Sequence, residues 1–413
     1  MTPWSTRAQL ILKIPGFAGL LGAALVVGLG ASFVHPFLSL WGTERVGMSP
    51  AGFGMFMTAT TLSAILIATT LARWSDSHLP RKTMLLLAGA AGVVGYVAYG
   101  LITTPWVLAL IGCTVLALAS LSFSQLFAYT REHYYDRAIP GVPPGFLMSV
   151  VRVCFSIAWT AGPSLAAWML VGFGFNGVFL GAAALYLVFV LGVMKYVPYE
   201  PRAEHVRAAI REPVWRVLTR GDILAAFVGF LCIFAAHTMN LMNLPLMITR
   251  VLGGTGTDVG IAFGVGPAVE IPLMLWFGHL AAQGHGLRLI RFGGVATVVY
   301  FLLLNQAEAP WHIFVLQAFH GLSFAIISNV GILFFQDLIP GQPGLATTVF
   351  SNAANAGNLL GFFAFGSLVT PVGNRGLFLV SAALTLVMAV VMFVYRPRRA
   401  EVETRDQGRG TRD

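Results

Sequence analysis

The chain has 413 residues, of which 57% are apolar and only 10% are Asp, Glu, Lys or Arg. A soluble domain carries about 25% charge. Together with a mean hydropathy of +0.79, this excludes a water-soluble enzyme and a disordered chain and leaves a polytopic membrane protein.

The first apolar run, Phe17 to Trp41, holds His35-Pro36 and lacks a small-residue cleavage site, so it reads as a first span and not as a signal peptide. Eleven further runs of the length a bilayer requires follow, giving spans at roughly 17–41, 51–72, 83–103, 106–128, 146–171, 177–196, 223–247, 258–280, 289–306, 311–335, 345–370 and 377–395. Turn chemistry separates them, as at Gly47-Met48-Ser49-Pro50, Thr103-Thr104-Pro105, Gly253-Gly254-Thr255-Gly256 and Glu308-Ala309-Pro310. The runs do not alternate apolar and polar residues, so helices are expected and not barrel strands. Cys113, Cys154 and Cys232 all fall in apolar runs and form no metal or disulfide pattern. No cofactor and no metal site is expected.

With both termini in the cytoplasm, 21 of the 25 Lys and Arg residues lie on the cytoplasmic side. Only Arg45, Arg250 and Arg375 lie opposite, and Arg152 lies inside a span. This bias sets the orientation and an even number of spans. It also accounts for the net charge of +9 by proximity to anionic lipid, with no nucleic-acid partner.

The longest polar stretch, 197–222, divides the spans six and six. The expected organisation is a first six-helix bundle at 1–196, a cytoplasmic linker at 197–222, a second bundle at 223–395 and a basic cytoplasmic tail at 396–413. Two echoes relate the halves. Ile139-Pro140-Gly141-Val142-Pro143 recurs 200 residues later as Ile339-Pro340-Gly341-Gln342-Pro343, and Thr43-Glu44-Arg45-Val46 is echoed by Thr249-Arg250-Val251.

The loop after the second span reads Ala72-Arg73-Trp74-Ser75-Asp76-Ser77-His78-Leu79-Pro80-Arg81-Lys82. An acid closing one helix and a basic pair opening the next suit a cytoplasmic latch, in which Asp76 meets a helix N-terminus or a basic group of the other half. Gly162-Pro163 suits close packing and a bend within the fifth span. Three longer strings are more specific. They are Arg131-Glu132 with Val151-Arg152-Val153-Cys154-Phe155-Ser156-Ile157-Ala158-Trp159, then Met239-Asn240-Leu241-Met242-Asn243-Leu244-Pro245 with Glu270-Ile271-Pro272, and Phe335-Gln336-Asp337-Leu338-Ile339-Pro340-Gly341.

On these strings the chain resembles the bacterial sugar efflux transporters of the major facilitator superfamily, over nearly its whole length. The loop motif is degraded relative to that superfamily: Ala72 stands for a leading Gly, and one extra residue separates Asp76 from Arg81. The resemblance implies an all-α membrane protein of twelve transmembrane helices in two pseudo-symmetric six-helix bundles. It implies alternating-access export of sugars or glycosides across the inner membrane, against protons, by a monomer. Gating would then fall to Asp76, Arg81, Lys82, Gly162 and Pro163.

Two charges lie deep in spans, Arg152 and Glu270, each at about 2.5–3.5 kcal/mol on insertion scales. Glu270 is the candidate proton-coupling carboxylate, with Arg152 its counterpart across the interface. The alternatives are a structural pair and a hydrogen-bonder to substrate. Neutral polar residues recur at helical spacing: Gln317, His320, Phe324 and Ser328 on one span, His237, Asn240 and Asn243 on another, Thr348, Asn352 and Asn355 on a third, with Ser124 and Gln125 closing the fourth. Amides suit sugar hydroxyls, which both donate and accept, and Trp159 or Phe324 could stack on a sugar face. The competing role is interhelical bonding. His237 and His320 are core histidines or proton sites. A multidrug or amphipathic-solute exporter is the alternative transporter. A membrane enzyme or receptor is disfavoured, because no Gly-x-Ser-x-Gly, His-Glu-x-x-His or phosphate loop occurs.

Overall fold

The computed structural model describes residues 14, 16–135, 144–199 and 214–395. Among these residues every regular element is helical. We label the main helical segments α1 (Phe17–Arg45), α2 (Pro50–His78), α3 (Arg81–Leu101), α4 (Pro105–Tyr134), α5 (Pro144–Tyr196), α6 (Gly221–Val251), α7 (Gly256–Leu280), α8 (Gly286–Asn305), α9 (Pro310–Leu338) and α10 (Pro343–Val394).

Among the described residues, nine stretches are long and apolar enough to cross a membrane. Three of them, Val150–Tyr196, Gly256–Asn305 and Gly344–Val394, have 47, 50 and 51 residues, over twice the roughly 20 that one crossing needs. Each is interrupted by a glycine at positive φ: Gly174 (65°), Gly284 (86°) and Gly373 (70°). Glycine carries no Cβ penalty there. At Gly174 the chain folds back on itself, since a methyl carbon on Gly181 would lie 3.5 Å from Met169 Cε. These breaks fall where the sequence places its span boundaries.

The repeat is visible in backbone hydrogen bonds. α1 ends with Val46 N–H donating to the Trp41 carbonyl (3.0 Å) and Met48 N–H to Gly42 (2.9 Å), around Gly47 at φ 76°. α6 ends with Leu252 N–H donating to Met247 (3.0 Å) and Gly254 N–H to Ile248 (2.8 Å), around Gly253 at φ 68°. The same glycine cap thus recurs at an offset of 206. Thr43 and Thr249 occupy equivalent sites, each hydroxyl donating four residues back, to Ser39 (2.8 Å) and Pro245 (2.9 Å). A similar pair of contacts lies at other helix ends. Lys82 Nζ, opening α3, donates to the Met194 carbonyl at the end of α5 (3.0 Å). Arg291, opening α8, donates to the Met392 (2.8 Å) and Tyr395 (2.9 Å) carbonyls at the end of α10. Cations there satisfy the acceptors a helix end leaves open.

The apolar cores show how the halves meet. One core draws on both, joining Phe37, Trp41, Phe53 and Phe179 with Met239, Met247, Tyr300 and Phe365. The other two large cores each stay within one half: Phe17, Leu85, Tyr129 and Phe189 in the first, Phe230, Ile290, Phe335 and Met388 in the second. The halves are therefore joined at one end and have separate cores at the other.

The joined end is built on small residues. A Cβ on Gly366 of α10 would lie 2.8 Å from the Gly54 Cα of α2, and one on Gly260 of α7 would lie 2.9 Å from the Pro163 carbonyl of α5. Ser164 Oγ donates to the Gly260 carbonyl (3.4 Å). Arg250 of α6 donates to Thr43 Oγ1 (2.7 Å) and lies 3.8 Å from the Glu44 carboxylate of α1. Positions 44 and 250 stand 206 apart, the offset of the two caps, and they meet with opposite charge.

One span boundary shifts: α2 continues past residue 72 to His78, so Asp76 stands on its last turns, as an acid closing that helix; its side chain lies outside the described residues. Arg81 and Lys82 open α3 directly behind Pro80. The echo Ile139–Pro143, most of the expected linker (200–213) and the basic tail (396–413) also lie outside the described residues.

Candidate functional site

In the first half, a cavity of about 400 Å³ opens between α1, α2, α3, α4 and α5. Its wall is mainly aromatic and aliphatic, with Phe56, Tyr96, Tyr99, Phe123, Phe155, Trp159 and Tyr186. Trp159 lies 5.7 Å from the His35 ring, and His35 Nδ1 is buried with no partner among the described residues. Thr60, Thr61 and Ser120 add hydroxyls. Such a surface suits an apolar or sugar ring face with one or two polar anchors.

The second half holds a polar chain. Asn240 Nδ2 of α6 donates to the Tyr300 hydroxyl of α8 (3.0 Å), which donates to Gln317 Oε1 of α9 (3.1 Å). Asn240 is 5% exposed, Tyr300 0% and Gln317 4%. Beside it, His237 Nδ1 and His320 Nε2 lie 3.0 Å apart, with Phe324 packed on both rings at 4.8 and 5.6 Å. His237 Nε2 and Asn240 Oδ1 are buried with no partner among the described residues. A buried polar atom without a partner costs about 1–3 kcal/mol, so these two mark a place where another polar group belongs.

Glu270 lies on α7, which packs against both α5 and α9. It is half-buried and accepts from Ser328 Oγ of α9 (3.2 Å). Arg152 is exposed on α5 and acts electrostatically on Glu270, with no ion pair of 4.0 Å or less between them.

The structure brings together Asn240, Gln317, His320 and Phe324, and it puts Trp159 in the cavity wall. Asn352 and Asn355 are exposed on α10. Gln125 is buried and accepts from Arg81 Nη1 (2.9 Å), while Arg81 also clasps Glu132 at 2.6 and 2.9 Å. Asn243 is fully buried, and it exchanges two bonds with Asn374 beyond the Gly373 break (2.8 and 2.7 Å). Both amides are occupied in joining helices. Gly162 admits the Ser32 hydroxyl of α1, which donates to the Ala158 carbonyl (2.9 Å). A Cβ at Gly162 would collide with that oxygen. Sequence reasoning missed His35, Tyr96, Tyr186 and Tyr300. Each lies in a mainly apolar run, and only the unusual His35-Pro36 pair signals any of them.

The model of the Major Facilitator Superfamily matches residues 20–309 and 287–412. The chain belongs to that superfamily. Within it, the chain is a member of the bacterial sugar efflux transporter family. It is 34% identical to a Deinococcus radiodurans protein whose name assigns it to sugar efflux, over 94% of this chain and all of that one. It is 29% identical to sugar efflux transporter A of Dickeya chrysanthemi, over 96% of this chain and all of that one. A crystal structure of the nucleoside transporter NupG superposes with a TM-score of 0.79 at 15% identity, covering 92% of this chain and all of that one. At that identity the likeness concerns the major facilitator fold alone.

Proposed function

We propose that the protein exports sugars or glycosides across the inner membrane by alternating access, as a monomer that exchanges solute for protons. The family name supports the substrate class. The observation that carries the site is the buried Asn240–Tyr300–Gln317 chain with its unpartnered Asn240 Oδ1. A sugar hydroxyl donates and accepts at once, and so completes such a chain. Trp159, in the wall of the first-half cavity, supplies a flat apolar face for the C–H side of the ring. Asn352, Asn355, His320 and Phe324 border the same solute in this reading.

The nine apolar stretches, three of double length, support twelve crossings in two six-helix halves around residues 1–196 and 223–395. The basic residues at the chain's Lys82 and Arg291 end support a cytoplasmic position for that end and for both termini. The joined end is then periplasmic, and the cavity opens to the cytoplasm. Closing the cytoplasmic end would bring Asp76 of α2 to the other half, with Arg81 and Lys82 holding α3 in place and Gly162-Pro163 serving as the flexible contact of α5. Glu270 gives up or takes its proton as solute binds, with Arg152 its counterpart on α5.

The test is transport in proteoliposomes under an imposed pH gradient, with a panel of radiolabelled mono- and disaccharides. The expected result is gradient-driven sugar flux that collapses with an uncoupler. The aromatic cavity favours a second reading, export of amphipathic drug-like solutes; drug flux without any sugar flux would put that reading in place of the first.

A further inference from the structure

The histidine pair is not absorbed by a binding role alone. We infer that His237 and His320 form a proton relay that ends at the proposed sugar site, an inference that rests on the transport reading above. Two imidazole nitrogens 3.0 Å apart hold one hydrogen between them: none leaves two lone pairs opposed, and two set N–H against N–H. The outer nitrogens point to different places. His320 Nδ1 faces α7, 3.9 Å from where a carbon on Gly266 would stand, and Glu270 follows one turn along that helix. His237 Nε2 is buried without a partner, as is Asn240 Oδ1, three residues on along the same face of α6.

The step balances without any side chain moving. In one neutral arrangement His320 Nε2–H donates to His237 Nδ1, His237 carries its hydrogen on Nε2, and His320 Nδ1 holds a lone pair. A proton from water or from the Glu270 carboxyl forms a new N–H bond at His320 Nδ1. The bridging hydrogen passes to His237 Nδ1, and the Nε2–H bond of His237 breaks, releasing its proton through water held by Asn240 Oδ1 to the solvent of the site. One proton enters and one leaves.

The surroundings isolate the relay. From α8 come the Tyr300 ring, 4.8 Å from His320, and Phe301, 6.1 Å from His237. Phe324 covers both rings from α9, and α10 offers Asn358, already bonded to Thr238 at 2.8 Å. From α7, the facing helix, the acidic group is Glu270, one turn beyond Gly266 and bonded to Ser328, and from α5 the basic group is Arg152.

The experiment compares two rates in proteoliposomes of the full chain, using radiolabelled glucose and lactose. One is accumulation driven by a pH gradient; the other is exchange of label at equal sugar on both sides, which needs no net proton movement. His237→Gln keeps a hydrogen bond but cannot relay, so it should lower driven accumulation about tenfold more than exchange. Equal loss of both, or driven accumulation that survives, overturns the relay. Should that variant fail to fold, 15N NMR of histidine-labelled wild-type protein in nanodiscs decides. A coupling across the N–H···N bridge, and joint titration of the two rings, are expected. No coupling, or independent titration, overturns it. If wild-type protein moves neither sugar by either assay, the transport reading fails, while the NMR result still judges the bridge.

Discussion

Helices α1 and α6 end on the same hydrogen bonds around the same kind of glycine, yet their middle turns carry different chemistry. Ala31, Val34 and His35 of α1 border an aromatic cavity. His237 and Asn240 of α6 enter a buried network of imidazole, amide and phenol. The caps and end clamps are set by backbone geometry, which any helix of this length must satisfy. The mid-helix positions are free of that demand, and there the halves have diverged, one toward shape and the other toward hydrogen bonding. The difference teaches that a repeat holds its scaffold and not its site.

Four experiments sharpen or break this contrast. The largest effect belongs to the shared scaffold: Gly366→Leu drives a side chain into the Gly54 backbone, at about 1–3 kcal/mol of overpacking. It should abolish transport and lower the melting temperature, measured by flux and by thermal unfolding in detergent. Next, Glu270→Gln should remove the pH-gradient dependence of sugar flux while sugar binding persists, read by calorimetry beside transport; unaltered gradient dependence would end its coupling role. Third, Tyr300→Phe strips the hydroxyl that joins Asn240 to Gln317 and leaves two buried amides short of a partner, about 1–3 kcal/mol. Sugar affinity should fall about tenfold or more, and an unchanged Kd would break the assignment of hydrogen bonding to the second half. The smallest effect is expected from the cavity: Trp159→Phe should weaken binding a few-fold, by about 0.5–1.5 kcal/mol of ring contact. A larger loss there than in Tyr300→Phe would reverse the contrast.

Much of the scaffold was legible in the sequence, because its punctuation is local. Glycine and proline mark helix ends within a few residues, and the breaks at Gly174, Gly284 and Gly373 fall between predicted runs. The repeat was legible only as faint echoes, since its strongest expression, the paired caps, is in hydrogen bonds and not in residue identity. The site was half legible. Helical spacing put Gln317, His320 and Phe324 on one face, and the structure joins them to His237 and Asn240. Spacing could not tell Asn240 from Asn243, because what occupies Asn243 is Asn374, 131 residues away. It could not find Tyr300, whose bonding partners Asn240 and Gln317 lie on α6 and α9 and not on its own helix. The fate of Gln125 was hidden for the same reason: its partner, Arg81, opens a different helix.

The Gly54–Gly366 contact has a mechanical consequence. Backbone rests on backbone there, with no side chain threaded through the joint. Two smooth rods in such contact roll on one another without any rotamer having to unlock. That makes the crossing a bearing: it keeps the rods together while leaving their angle free, and the resistance to turning comes from peripheral fasteners such as Glu44 and Arg250. An exposed ion pair is worth only about 0.2–1 kcal/mol, so such a fastener can be released and remade within ordinary thermal reach.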